Sequence, residues 1–391
     1  MTVDDGMELA GQVVDFELSP ELAEFQEVAR DFATRRLRPG AAARDAGEEF
    51  PSDELREAAE LGLLKVTVPK EFGGLDLGNL ANNVMLEEVN AGCASTGVTI
   101  SVHNSLCASP LAKWGTQEQK AEYLPKLASG EWIGAYCLSE AGSGSDAAAL
   151  RCEARRDGDA FVLNGPKLWI TTGPEANLFI VFARTGEHRV KGISAFLVER
   201  DYPGVGVGKK ERKLGIKASP TTEILLENVR VPATNLLHDE GEGFAVALDT
   251  LDGGRLGIAS QALGIARSCA DLIRDHLKAD VDAKGRPTSP QSSQWQLADI
   301  VAEIDACRFL TWRAAVLRDR GVRCTRESAM AKLTASTLAN RAARAAVSIL
   351  GVDGAAGLTE AERLMRDARI TEIYEGVTDI QRLVIARAEL S

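Results

Sequence analysis

The hydrophobic pattern changes its period twice along this chain, and that change limits the available folds more than any other feature. Over residues 20–34 apolar side chains recur every three or four positions, as on one face of a helix. Short apolar runs bounded by Gly, Asn or Pro then take over, and they predict strands at residues 162–165, 178–183, 193–198 and 223–226. The helical period returns at Gly241 and continues to the end, with a polar interruption at residues 280–293.

We therefore predict an α+β fold built from three domains. An N-terminal α-helical domain covers residues 16–133, a middle β domain covers 134–241, and a C-terminal α-helical domain covers 242–391, after a loose tail over residues 1–15. A chain of 391 residues is long enough for two or three packed units that share an interface. Its hydrophobic content of 45% supports a full globular core.

Composition argues against several classes of function. No long uncharged apolar run is present, so we expect no membrane span. A net charge of -12 argues against nucleic acid as a partner. Seven cysteines without a Cys-x-x-Cys pair predict buried free thiols, and four histidines without clustered spacing predict no metal site. The acidic start lacks the parts of a signal peptide, so we expect a cytoplasmic protein.

A candidate base lies near the end of the chain, within residues 366–376. An apolar-periodic helix is predicted to end in Ile373 and Tyr374 and to place Glu375 directly before Gly376. Glycine lets a substrate approach the backbone closely. A carboxylate that is desolvated there has a raised pKa and can act as a base near neutral pH. The alternative is a helix end capped by Gly376, with Glu375 in water.

Together with Glu375, residues 136–146 and 169–173 resemble the acyl-CoA dehydrogenase family. The resemblance runs from about residue 16 to residue 390 and is closest to the short-chain, butyryl-type members. Further matching stretches lie at residues 102–106, 213–216, 229–232 and 254–259. The resemblance implies an acyl-CoA dehydrogenase-like fold with an N-terminal helical domain, a middle β-barrel or β-sandwich domain and a C-terminal four-helix bundle.

The resemblance also implies FAD as the cofactor. An isoalloxazine ring needs an aromatic or apolar face, hydrogen bonds to its polar edge, and exclusion of water. Family positions that match Ser139 and Thr171 bond to the flavin, and the position that matches Trp169 packs on it. The full set of expected cofactor residues is Tyr136, Leu138, Ser139, Gly144, Ser145, Trp169, Ile170, Thr171 and Thr378. The alternatives are a core tryptophan and an ordinary Gly-Ser turn.

Substrate contacts are implied at a second set of positions. Ser145 matches a family position that contacts the acyl-CoA, and Tyr374 and Gly376 flank the base. Asp252 and Arg255 match positions that hold the adenosine end of CoA, where a guanidinium suits an amide or phosphate. The alternative for Arg255 is a solvated charge or a salt bridge to Asp252 across one helical turn.

The resemblance implies a mechanism of α,β-dehydrogenation, in which an acyl-CoA becomes the 2-enoyl-CoA. Glu375 removes the pro-R α-proton, flavin N5 accepts the β-hydride, and hydrogen bonds stabilise the enolate-like thioester oxygen. The reduced flavin then passes its electrons to an electron-transferring flavoprotein. In isovaleryl-type and long-chain members the glutamate sits at the position that matches Gly254, which leaves Glu375 as the family-type base here.

Departures from the family pattern cluster on one function. Family members hold the far half of FAD partly from a neighbouring subunit, and the chain differs at four such positions, Val281, Ser348, Val352 and Val377. Three hypotheses follow. The chain is an FAD-dependent dehydrogenase that forms a homotetramer or homodimer, or it is one subunit of a heteromeric dehydrogenase. The third is an acyl-thioester enzyme, acting on CoA- or acyl-carrier-protein-bound chains, with weakened or absent FAD binding.

Overall fold

The first part of the chain is helical, as its apolar period predicts. The computed structural model describes residues 17–391 apart from residues 280 and 287, so the predicted tail over residues 1–15 lies outside the described residues. The helices of this part are α1 (Pro20–Phe32), α2 (Ala41–Gly47), α3 (Ser52–Glu60), α4 (Gly78–Gly92), α5 (Ala94–Ser101), α6 (Ser109–Trp114) and α7 (Gln117–Ala128). A π-helical segment, Val102–Ala108, joins α5 to α6 and carries Leu106 into the core.

The middle part forms a single mixed sheet. Its strands are β1 (Gly134–Cys137), β2 (Glu153–Asp157), β3 (Ala160–Thr171), β4 (Leu178–Arg184), β5 (Ile193–Glu199), β6 (Val205–Val207), β7 (Thr221–Pro232) and β8 (Leu236–Leu237). They are ordered β6-β7-β3-β2-β4-β5-β8, and β1 pairs in parallel with β4. Nearly every residue of β4 and β5 is buried, which accounts for their uninterrupted apolar runs.

The last part returns to helices. They are α8 (Gly243–Ala279), α9 (Gln291–Asp319), α10 (Thr325–Leu350), α11 (Val352–Ala355), α12 (Ala361–Ile370) and α13 (Thr378–Leu390). Helix α8 is buried along most of its length and packs against α4, α9 and α10. One hydrophobic core therefore includes Leu106, Leu256 and Ala339, from the first and last parts of the chain.

The α+β prediction, with helical ends around a central sheet, is confirmed. The domain limits at 133/134 and 241/242 stay predictions. No helix in the described ranges is long and apolar enough to cross a membrane.

One local prediction is wrong, because the helix before the candidate base ends at Ile370 and not at Tyr374. The carbonyl of Ala368 accepts hydrogen bonds from the Thr371 hydroxyl at 2.7 Å and from Asn340 Nδ2 at 3.0 Å. A continuing helix would need that carbonyl for the N–H of residue 372, so these side chains end the helix. The next residues are thereby free to form a turn.

Candidate active site

The turn between α12 and α13 holds Glu375 in a left-handed backbone conformation. Glu375 has φ 53° and Gly376 has φ 97°, and the left-handed region costs a non-glycine residue on the order of 1–3 kcal/mol. Two side chains hold the turn. Lys332 Nζ donates to the Gly376 carbonyl at 2.7 Å, and Gln381 Nε2 donates to the same oxygen at 2.8 Å.

The Glu375 carboxylate lies in a space that Gly254 leaves open. Glu375 as a whole is half-buried, but its Oε2 atom is buried and has no hydrogen-bond partner among the described residues. A Cβ added to Gly254 on α8 would overlap Glu375 Oε2 and lie 2.7 Å from Leu106 Cδ2. A carboxylate on either backbone position would therefore occupy the same space, and the structure does not leave Glu375 in water.

Burial and two cations set the protonation of this carboxyl. Burial raises the pKa of Glu375 to about 7, while the nearby charges of Lys332 and Arg255 oppose that rise. Tyr136 and Tyr374 face the same carboxylate. Burial first and the charge of Glu375 second raise the pKa of both phenols well above the usual range. Both tyrosines therefore stay protonated at neutral pH. Glu375 titrates in that range, because its pKa is about 7, and a group with such a pKa is suited to accept and release a proton there.

Asp252 and Arg255 lie one turn apart on α8 and bind each other. Arg255 Nη1 donates to Asp252 Oδ1 at 2.7 Å, and Thr325 Oγ1 donates to Asp252 Oδ2 at 2.6 Å. Both residues are buried. The salt bridge across one helical turn is therefore present, and it places the Arg255 charge near Glu375. Their contact with CoA stays a prediction.

A β-bulge presents Trp169 at the end of β3. The register of β3 against β7 shifts between Lys167 and Ile170, and Trp169 adopts φ 62° within that interval. Its side chain is 62% exposed. This is therefore not a core tryptophan, since its ring is open to a ligand. Ile170, the next residue, is buried. Among the described residues the Thr171 hydroxyl has no hydrogen-bond partner.

Ser139 lies beside this bulge because the buried Lys167 bonds to both of its neighbours, Leu138 and Glu140. The backbone N–H of Leu168 donates to the Ser139 carbonyl at 2.9 Å. Lys167 Nζ donates to the Leu138 carbonyl at 3.2 Å and pairs with the Glu140 carboxylate at 2.6 Å. The Ser139 hydroxyl has no partner within the described ranges. Two unused hydroxyls, on Ser139 and Thr171, thus border one exposed indole.

The remaining predicted residues lie around these two groups. Tyr136 is on β1, three residues before Ser139, and its phenol lies close enough to Glu375 that, after burial, the charge of that carboxylate raises its pKa. Gly144 and Ser145 are exposed on a turn that follows Glu140. Thr378 is the first residue of α13, and its hydroxyl donates to a backbone carbonyl in the turn before Glu375 at 3.2 Å.

Three of the four departures from the family pattern, Val281, Ser348 and Val352, lie outside the turn that holds Glu375, whereas Val377 follows Gly376 directly. Val281 and Val352 are exposed, and Val377 precedes α13. Ser348 lines a cavity of about 340 Å³ between α8, the start of α9 and α10. A surface expected to hold part of FAD from a neighbouring subunit is thus partly apolar here.

Two residues of the site were missed from the sequence, Lys332 and Gln381. Lys332 lies four residues after Ser328 and three before Ala335, and all three are buried on one face of α10. A lysine on the buried face of a helix is unusual, so that spacing could have identified it. Gln381 lies six residues after Glu375, and its hydrogen bond to the Gly376 carbonyl could not be predicted from the sequence.

The chain is similar to known proteins along nearly its whole length. Models of the N-terminal, middle and C-terminal domains of acyl-CoA dehydrogenase match residues 19–131, 135–229 and 241–390. The mitochondrial short-chain specific acyl-CoA dehydrogenase of Rattus norvegicus is 48% identical over 363 residues, which cover 92% of this chain and 88% of the relative.

Solved structures give the same result. The butyryl-CoA dehydrogenase of Megasphaera elsdenii is similar with a TM-score of 0.93 at 37% identity, covering 96% of this chain and 100% of that chain. The prolyl acyl carrier protein oxidase AnaB is similar with a TM-score of 0.90 at 29% identity, covering 95% of this chain and 100% of that chain.

Proposed function

Because the chain belongs to the acyl-CoA dehydrogenase family, a family of FAD-dependent flavoenzymes, we propose that it converts a short-chain acyl-CoA to the 2-enoyl-CoA with Glu375 as the catalytic base. The family, predicted from the motifs, and its three-domain fold, predicted from the changes in hydrophobic period, are confirmed. The short acyl chain is inferred from the short-chain and butyryl-type relatives.

The observation that carries the assignment of the base is the buried, unpaired Oε2 of Glu375. A buried polar atom without a partner costs about 1–3 kcal/mol. A ligand that enters the space beside Gly254 can supply the missing partner. In the proposed reaction the Glu375 carboxylate takes a proton from the α-carbon of a thioester. The left-handed turn directs this carboxylate into the space beside Gly254.

The residues present fit FAD. The exposed Trp169 ring offers a face for an isoalloxazine, and the unused hydroxyls of Ser139 and Thr171 offer hydrogen bonds to its polar edge. The exposed turn at Gly144 and Ser145 leaves room for the part of FAD that extends beyond the isoalloxazine ring. When bound, FAD supplies the acceptor for the hydride that leaves the β-carbon.

The chain's own groups handle the α-proton and the thioester oxygen. Glu375 takes the proton, and the Lys332 and Arg255 charges favour its ionised form beforehand. In the described part of the chain the backbone N–H groups of Glu375 and Gly376 have no acceptor, so they can donate to the developing oxyanion. Tyr136 and Tyr374 line the carboxylate and limit access of water. Asp252, Arg255 and Ser145 are proposed to position the CoA.

CoA is a better candidate than a carrier protein as the acyl carrier. The similarity to the prolyl acyl carrier protein oxidase is 29% in identity, against 48% for the rat acyl-CoA dehydrogenase. We propose an electron-transferring flavoprotein as the electron acceptor and a homo-oligomer, tetramer or dimer, as the assembly. A subunit of a heteromeric dehydrogenase is the second candidate, favoured by the exposed valines at 281 and 352.

The acid limb of the pH profile should report Glu375. Its pKa is raised to about 7, so the ionised base is lost as the pH falls through that value. We expect kcat/KM for a short-chain acyl-CoA to fall about tenfold for each pH unit below about 6. The measurement is kcat/KM between about pH 5 and pH 9, with flavin absorbance read at each pH. A flat profile down to about pH 5 would exclude a base with this pKa.

Replacing both Ser139 and Thr171 with Ala should weaken the hold on FAD. Each lost hydrogen bond is worth about 1 kcal/mol, so we expect the Kd for FAD to rise roughly tenfold or more. FAD titration of the apoprotein by fluorescence measures this. Ser143→Ala is the matched control, because its hydroxyl donates to the Asp146 carbonyl at 3.0 Å within the same loop. An unchanged Kd in the double variant would show that this surface does not hold the ring.

A further inference from the structure

Two side chains from different helices converge on the carbonyl oxygen of Gly376. Lys332 on α10 is fully buried, and its Nζ donates to this oxygen at 2.7 Å. Gln381 on α13 is also fully buried, and its Nε2 donates to the same oxygen at 2.8 Å and to the Glu375 carbonyl at 3.3 Å. Each lone pair of the Gly376 oxygen can thus have its own donor.

These bonds act on the backbone that aims the base. Glu375 and Gly376 are consecutive left-handed residues, and a strained backbone of this kind persists only when its surroundings hold it. A Cβ at Gly376 would overlap Gln381 Nε2, so the glutamine side chain packs directly on the turn. Loss of either donor would let the turn relax and would move the Glu375 carboxylate.

Charge gives Lys332 a second action. The charged and titratable groups around Glu375 are Lys332 on α10, Arg255 on α8, Tyr136 on β1, and Tyr374 beside it in the turn. Arg255 is paired with Asp252 at 2.7 Å, which offsets part of its charge.

Lys332 has no such partner. Within the described ranges it makes no ion pair. Burial, and less strongly the charge of Arg255, lower the pKa of Lys332 to about 8, while the carboxylates of Glu375 and then Glu372 oppose that shift, so Lys332 is mostly charged at neutral pH. Its charge acts on Glu375 without an intervening counter-ion.

We propose that Lys332 is a positioning residue for the catalytic base, with two separable actions. Its hydrogen bond to the Gly376 carbonyl, together with that of Gln381, holds the Glu375–Gly376 turn, and its charge favours the ionised form of the carboxylate. The proposal rests on the proposed function, since it takes Glu375 to be the base.

Three variants of the holoenzyme separate the two actions. Lys332→Met removes the charge and the donor at nearly constant length, Lys332→Arg keeps the charge, and Gln381→Leu removes only the second donor. The readout is exchange of the substrate α-proton in deuterated water against pH, with an acyl-CoA analogue that lacks hydrogen on the β-carbon. Flavin content and thermal unfolding are measured on the same samples.

Lys332→Met should move the midpoint of the exchange profile up by about one pH unit, since an opposite charge was lost next to a carboxyl. Its plateau rate should also fall about tenfold or more, because a small displacement of the base lowers the rate steeply. Lys332→Arg should restore the midpoint. Gln381→Leu should lower the plateau and leave the midpoint unchanged.

Lys213→Met is the matched control. Lys213 Nζ likewise donates to a carbonyl, that of Ile216 at 3.0 Å, and also to Thr221 Oγ1 at 3.1 Å. Its charged neighbours are Lys210, Asp367 and Glu48, not Glu375. This variant should lower the unfolding temperature and leave the exchange midpoint unchanged.

An unmoved midpoint in a folded Lys332→Met protein would overturn the charge action, and an unchanged plateau in Gln381→Leu would overturn the hydrogen-bond action. If Lys332→Met does not fold, Lys332→Gln supplies the neutral side chain for the same comparison. Failure of the proposed function is distinguishable, because Glu375→Gln would then still exchange the α-proton whatever Lys332 does.

Discussion

Glu375→Gln should lower the rate of α-proton removal roughly a hundredfold to ten-thousandfold, the range typical for loss of a general base. The amide keeps the shape of the carboxylate but cannot take a proton from carbon. FAD content and acyl-CoA affinity should stay near those of the unchanged protein, because the proposed flavin and CoA contacts lie on other residues. Rapid-mixing measurement of flavin bleaching by a short-chain acyl-CoA gives the rate.

A neighbouring carboxylate provides the control for this prediction. Glu372 lies in the same turn and pairs with the exposed Arg369. Glu372→Gln should bleach within a few-fold of the unchanged rate. Near-normal bleaching in Glu375→Gln would show that another group removes the proton.

Gly254→Ala should lower kcat about a hundredfold, although the substitution adds one methyl group. The new Cβ would overlap Glu375 Oε2 and press on Leu106, which lies in the buried π-helical segment. The carboxylate must therefore move, and a shift of about 1 Å in a reacting group can lower the rate about a hundredfold. Steady-state kinetics and FAD content of the variant measure the effect.

The adjacent residue makes a matched control. A Cβ on Gly253 would meet nothing nearer than Arg318 Nε at 3.4 Å, an ordinary contact. Gly253→Ala should keep kcat and raise the free energy of unfolding by up to about 1 kcal/mol, since alanine favours a helix over glycine. Equal kinetics for the two variants would mean that Gly254 does not make room for the base.

The sequence predicted the order of the helical, β and helical regions because apolar residues recur with a different period in helices and in strands. The runs at residues 178–183 and 193–198 became the buried strands β4 and β5. Glu375 was proposed as the base because residues 366–376, together with residues 136–146 and 169–173, resemble the family motifs; the Glu-Gly pair alone left a capped helix end as the alternative. The desolvation of Glu375 was not readable, since it depends on Gly254 and Leu106 from distant parts of the chain.

What the sequence did not predict depends on contacts between distant segments. The helix before Glu375 ends early because Asn340, on another helix, takes the Ala368 carbonyl. Trp169 is exposed because β3 bulges against β7, a matter of register between two strands. The spacing of Lys332 could have placed it on the buried face of α10, but its bond to a carbonyl 44 residues away could not be predicted from local sequence.

Anaerobic titration of the purified chain with butyryl-CoA, followed by absorbance, shows whether this chain alone binds FAD and oxidises the thioester. We expect a yellow protein with FAD bound to this chain alone, whose flavin absorbance bleaches on addition of the thioester and does so far more slowly in Glu375→Gln. A colourless chain, or a flavin absorbance that butyryl-CoA leaves unchanged, would contradict this expectation.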